Sequence, residues 1–121
     1  MIKNKEITCL EVIQIHINHI KMINPLINAV VKDNFENSIN RAKDLDKFII
    51  ENDRKILDKF EFLGVPFSVK ESIKCEGMPN TSGLYSRKNR ISKRNAEVVE
   101  NMINAGGIPI CVTNTSEICM W

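Results

Sequence analysis

The sequence is poor in aromatics, in glycine and proline, and in any excess of one charge. Aromatic residues are 6% of its 121 residues, so a core has to be built from Ile, Val and Leu. Five glycines and four prolines are too few for a collagen-like or low-complexity chain. Lys and Arg number 17 against 15 Asp and Glu, a net charge of +2. That surplus is too small to imply nucleic acid or another polyanion as partner. No apolar run approaches the roughly 18 residues of a membrane span. The opening MIKNKEITCLEVIQIHINHI has neither the continuous apolar stretch nor the cleavage site of a secretory signal. The four cysteines, Cys9, Cys75, Cys111 and Cys119, form no C-x-x-C pair, so neither a zinc knuckle nor a redox dithiol is spelled out. They read as free, mostly buried thiols of a reducing compartment, with two disulfides in three pairings formally open.

What is present is ordinary for a globular domain: 43% hydrophobic and 26% charged residues, enough for one domain and not two. Thr8 followed by Glu11 is a capping box, and Leu10, Ile13, Ile17 and Ile20 recur at helical spacing. The pattern predicts a helix from Thr8 to Ile23, stopped by Asn24-Pro25. Val12, Ile15 and Met22 leave it only a narrow polar stripe, which predicts cover on more than one side. A short strand is expected over Leu26–Lys32. A second helix is expected over Asn34–Ile50, with Phe35, Ile39, Ala42, Leu45 and Ile49 as its stripe. The charged stretch 51–61 reads as an irregular connection.

Phe62–Lys70 alternates as a strand, Val65, Phe67 and Val69 on one face and Pro66, Ser68 and Lys70 on the other. Residues 71–94 read as loop. A third helix is expected over Ala96–Ala105, capped by Asn95, buried through Val98, Val99, Met102 and Ile103, and ended by Gly106-Gly107. Ile108–Thr113 reads as a strand, and Asn114 with Glu117 as a capping box opening another helix. Strands alternating with helices define an α/β class with a parallel or mixed sheet. Three strands leave exposed edges, so the 121 residues are expected to be the opening part of a larger domain. Such a chain on its own is expected to be marginally stable and prone to associate.

GVPFSVKES (64–72), GMPNTSGL (77–84) and TNTSEICMW (113–121) stand in order with INPLINAVV (23–31) and NAEVVENMINAGGIPICVTN (95–114). Together they resemble the amidase signature family of serine hydrolases, most of all its type 2 fatty-acid amide hydrolase branch. The resemblance covers essentially the whole chain. It implies an α/β fold with a mixed, twisted sheet flanked by helices, of which residues 1–121 would be a partial, N-terminal portion. It implies hydrolysis of carboxamides, of fatty acids or other apolar acyl groups, by a Ser-cisSer-Lys mechanism, with no metal or organic cofactor. Lys70 matches the family's catalytic lysine. Both serines of the triad belong to a Gly/Ser-rich segment that this sequence does not contain. No G-G-S-S-G-G run occurs, and Ser68, Ser72, Ser82, Ser86, Ser92 and Ser116 do not match it. One triad member of three is therefore present, and the chain alone is expected to be inactive.

The chemistry explains the lysine. A serine hydroxyl must lose its proton to become a nucleophile. Lysine accepts a proton only when neutral, a state that burial favours. A bridging serine can relay the proton, and the same path can later protonate the leaving amine. Without the resemblance, a lysine ending a strand is a solvated surface residue. Cys119 and Met120, beside Trp121, are candidate substrate contacts, because the resemblance places this region near the acyl-chain channel; ordinary packing is the alternative. His16 and His19 read as flanks of a packed helix, Glu71 as a loop or cap group. The cations Arg87, Lys88, Arg90, Lys93 and Arg94 read as a solvated loop rather than a nucleic-acid site. The implied partner is a small amide with an apolar acyl chain, with cytoplasmic placement or association with an intracellular membrane. The glutamine-hydrolysing component of a glutamyl-tRNA amidotransferase, and a non-catalytic module, are the competing readings.

Overall fold

A computed structural model describes residues 1–120. Helix α1 (Cys9–Ile27) is followed by strand β1 (Val30–Asp33), helix α2 (Phe35–Glu51), the short helix α3 (Arg54–Leu57) and strand β2 (Pro66–Lys70). A long loop then leads to helix α4 (Glu97–Asn104) and strand β3 (Ile108–Thr113). The sheet order is β1-β3-β2, with β1 antiparallel and β2 parallel to the central β3. The α/β class and mixed sheet expected from the sequence are what the structure has.

Both faces of β3 are covered, and a bulge makes that possible. Phe67 pairs with Pro109 but Ser68 with Cys111, so Ile110 is an extra residue in β3. The bulge flips the alternation of faces. Ile108, Ile110 and Cys111 join Cys9, Ile13 and Ile17 of α1 and Ala42 and Ile49 of α2 in one core, while Val112 joins Val69, Val99, Cys75 and Met78 in a second. A central strand tolerates proline only at such an irregularity. The carbonyl of Pro109 is held from outside the sheet by Asn34 Nδ2 and Ser38 Oγ, each at 2.9 Å. Arg41 binds the turn before β3, donating to the carbonyls of Gly107 at 3.0 Å and Ile103 at 2.7 Å. The turn needs glycine: Gly106 has φ +97°, and a Cβ there would stand 2.8 Å from Leu63 Cα.

The Thr8–Glu11 capping box forms, and Asp46 of α2 adds a carboxylate that accepts from the Cys9 and Leu10 N–H groups at 2.7 and 3.0 Å. This binds α2 to the positive end of α1. Helix α1 does not stop at Asn24-Pro25 but runs to Ile27, so the strand expected from Leu26 begins only at Val30. Asn24 explains the difference. Its side chain accepts from Val30 N at 2.8 Å and donates to Val30 O at 3.2 Å, fixing the helix end against the strand. Asn28, at φ 48°, ends the helix with its N–H on the Asn24 carbonyl. Ile15 and Met22 of α1 remain exposed, so the described residues do not cover its second side.

Other expectations also shift. The stretch 51–61 contains α3, whose Asp53 cap accepts from Ile56 N at 3.0 Å and whose Leu57 is buried. Asn95 is not the cap of α4; Ala96 is, while the Asn95 side chain joins Glu76 N to the Glu100 carboxylate. Val98, expected inside, is exposed. The box expected at Asn114 and Glu117 does not form: a 3-10 turn spans Glu117–Cys119 with Ser116 at its cap. Trp121 lies outside the described residues.

Candidate functional site

The parallel strands β2 and β3 end side by side, with Lys70 in register with Thr113. The Glu71 N–H continues the ladder to the Thr113 carbonyl at 2.9 Å. Two loops leave this edge, residues 71–84 after β2 and residues 114–120 after β3. Crevices at the carboxyl ends of parallel strands are where open α/β sheets place their ligands, because the departing loops diverge there. Lys70 stands at this edge and is exposed; Val69 before it is buried.

Glu71 organises the first loop and was read from sequence only as a loop or cap group. It is 3% exposed. Its carboxylate accepts from Thr81 N and, at 3.4 Å, from Gly83 N, and its carbonyl accepts from Asn80 Nδ2 at 3.0 Å. The loop is thus bent back over the strand end. It meets the second loop closely: Ile118 N donates to Ser82 O at 2.8 Å, and a Cβ on Gly83 would lie 2.8 Å from the Ser116 carbonyl. Ser82, Ile118 and Cys119 all adopt left-handed backbone, φ 54°, 52° and 59°. Such conformations are uncommon outside glycine and cost free energy that packing must offset. The Gly83 of the P-N-T-S-G run was the one sequence signal for this close approach.

Cys119 is exposed, with Thr115 Oγ1 3.6 Å from its sulfur. Hydrogen bonding from Ser72 first, then Thr115, with the Lys70 charge adding, draws its thiol below the ordinary value; Glu71 opposes. Lys70, Ser72, Thr115 and Cys119 are therefore neighbours, joining the candidate lysine to one of the two candidate substrate contacts. Met120 is 66% exposed. The other thiols behave oppositely: burial pushes Cys75 and Cys111 up, and burial with the neighbouring Asp46 pushes Cys9 up to about 12. His16 and His19 are exposed on α1, His16 Nδ1 standing 2.8 Å from the Val12 carbonyl. A groove of about 880 Å³ runs between Ser72–Lys74 and the first turn of α4, and Lys70 is not among its walls.

A mixed sheet whose parallel strands end in a lysine, under two loops that lock together, is an α/β architecture with a ligand-binding edge. The Amidase family profile matches residues 11–121, and the chain belongs to that family. It is 42% identical to human fatty-acid amide hydrolase 2 over 100% of this chain and 23% of that one. It is 34% identical to indoleacetamide hydrolase of Bradyrhizobium diazoefficiens, over 96% of this chain and 21% of that one. An amidase family protein from Bacillus anthracis superposes with a TM-score of 0.81 at 25% identity, over 97% of this chain and 23% of its own. A bacterial aryl acylamidase of the amidase signature enzymes shares the fold at TM-score 0.85 and 22% identity, over 96% of this chain and 24% of its own. The chain thus spans about a quarter of the length of these relatives.

Proposed function

We propose that this chain forms part of a hydrolase that cleaves linear carboxamides, with Lys70 as the proton acceptor of a serine relay. The observation that carries the reading is the placement of Lys70 at the C-terminal end of β2, beside β3 and under the 71–84 and 114–120 loops. A group there faces the crevice in which a ligand of an α/β sheet sits. The lysine supplies the base; the nucleophilic and bridging serines, and the oxyanion donors, come from sequence not included in these 121 residues. An apolar acyl group is favoured as the substrate's carboxyl side. The support is identity of 42% to a fatty-acid amide hydrolase against 29% to a component of the glutamyl-tRNA(Gln) amidotransferase of Thermoanaerobacter pseudethanolicus. Cys119 and Met120 are proposed to contact that acyl group.

Two preparations test the reading: the 121-residue chain alone, and the chain continued in frame through the family's Gly/Ser-rich segment. Oleamide and glutamine are offered to each. Turnover of oleamide by the longer protein and none by the chain alone is the expected pattern. Turnover of glutamine alone would replace the substrate assignment. Hydrolysis by the 121 residues alone, above a heat-killed control, would overturn the relay, since one triad member cannot sustain it.

A further inference from the structure

The basic loop, which the proposed hydrolysis leaves unused, is not simply a solvated run of charge. Residues 77–80 and 90–92 form a small antiparallel frame. Asn80 N bonds to Arg90 O at 3.0 Å, Ser92 N to Met78 O at 2.9 Å, and Gly77 N to Ser92 O at 2.9 Å. Ala96 N on the Lys74 carbonyl, at 2.8 Å, closes it against the loop after β2. Met78 and Cys75 anchor the frame in the second core. Against it lies a pocket of about 280 Å³ lined by Lys74, Asn80, Arg90, Ser92, Lys93 and Arg94 together with Ile91.

Two independent features mark this pocket. Four of its wall residues are cationic and none is acidic. Among the described residues none of the four cations forms an ion pair. Glu76, Glu97 and Glu100 line the adjoining groove, which shares Lys74 and Arg94, so Arg90 and Lys93 are the cations that belong to this pocket alone. The second feature is Ser92. It is 8% exposed, and its Oγ is the one buried side-chain oxygen or nitrogen among the described residues without a hydrogen-bond partner. Buried hydroxyls are normally satisfied, and an orphan one calls for a partner.

We propose that this pocket is a binding site for a phosphate-type oxyanion. Arg90, Arg94, Lys74 and Lys93 would supply charge-assisted donors, and the Ser92 hydroxyl the neutral one. The planar guanidinium groups suit a tetrahedral oxyanion, and the hydrogen-bonded frame holds their backbones in place. A free phosphate compound and a lipid phosphate headgroup share this chemistry.

Equilibrium dialysis of the chain against labelled inorganic phosphate, in about 0.15 M sodium chloride to screen diffuse attraction, tests the site. Saturable binding at one site is expected. Arg90→Gln with Lys93→Gln should weaken it by about tenfold or more. Both residues are exposed, so the double variant should keep the parent's far-ultraviolet circular dichroism. Ser92→Ala should weaken binding less. Protection of Arg90 and Arg94 from phenylglyoxal by phosphate is the second readout. Sedimentation with phosphatidylcholine vesicles, with and without phosphatidic acid, separates the sources. Binding in dialysis alone assigns a free phosphate compound, and binding to the acidic vesicles as well assigns a headgroup. Absence of saturable phosphate binding and of protection, or equal binding by the folded double variant, would overturn the proposal.

Discussion

The face of β3 under α1 and α2 and the rim of loops after β2 and β3 are built on different principles. Under the helices, burial is almost wholly apolar: Cys9, Ile13, Ile17, Ala42, Ile49, Ile108 and Ile110 meet, with Ser38 the one buried polar residue there. The loop rim buries Glu71, Asn80 and Ser92 and carries three non-glycine residues in left-handed backbone. The first region is held by area removed from water, the second by hydrogen bonds from side chain to backbone. A scaffold can be rebuilt from other aliphatic residues of similar volume. A rim held by particular acceptors cannot, and it is there that the candidate lysine stands.

The sharpest way to break the comparison is to remove volume from the first region. Ile13 is fully buried, and Ile13→Ala should cost about 2–5 kcal/mol, a transfer loss plus a cavity. A fall in the urea midpoint at constant slope would show it, whereas Ile15→Ala, at an exposed position, should move the midpoint little. Removing a single acceptor from the rim should cost less and act locally. Glu71→Ala leaves the Thr81 and Gly83 N–H groups unpaired, an expected loss of about 1–3 kcal/mol. Faster amide exchange confined to 80–83 and 116–119 would support the account, and Glu71→Gln should restore part of the protection. Uniform exchange across α1 and α2 would contradict it.

The smallest effects come from the thiols. Cys9 is held neutral in the folded chain, raised from 9.0 to about 12. The unfolded thiol ionises first as pH rises, so this stability is fully present below pH 9 and is lost as pH climbs toward 12. Cys75 and Cys111 act in the same sense, and the urea midpoint should decline through that window. Cys119 is exposed with a lowered thiol, so iodoacetamide near neutral pH should label it first. Labelling of all four at one rate would mean that the two regions do not differ as described.

The contrast also explains what could be read in advance. Hydrophobic period located α2 within a residue or two and β3 at its true limits, because Ile39, Ala42, Ile49 and Ile108–Val112 are fixed by burial. It misplaced the end of α1, because Asn24 is set by two bonds to Val30 that no local pattern encodes. It missed α3, since a four-residue helix shows too little periodicity. It placed Asn95 as a cap when that side chain serves Glu76 and Glu100 instead. At the rim, motif resemblance singled out Lys70, Cys119 and Met120. The buried acceptor role of Glu71 depends on a chain reversal of ten residues and left no periodic trace.

The most direct measurement is amide turnover by Lys70 variants of a protein that carries this segment together with the family's serine segment. Lys70 is exposed in the described residues, so Lys70→Ala should leave the melting temperature almost unchanged. Loss of a proton-transfer partner should lower turnover by about a thousandfold or more. Lys70→Arg should fail as well, because a guanidinium keeps its proton. Near-normal hydrolysis by either variant would show that Lys70 is a surface residue and that the chemistry lies elsewhere.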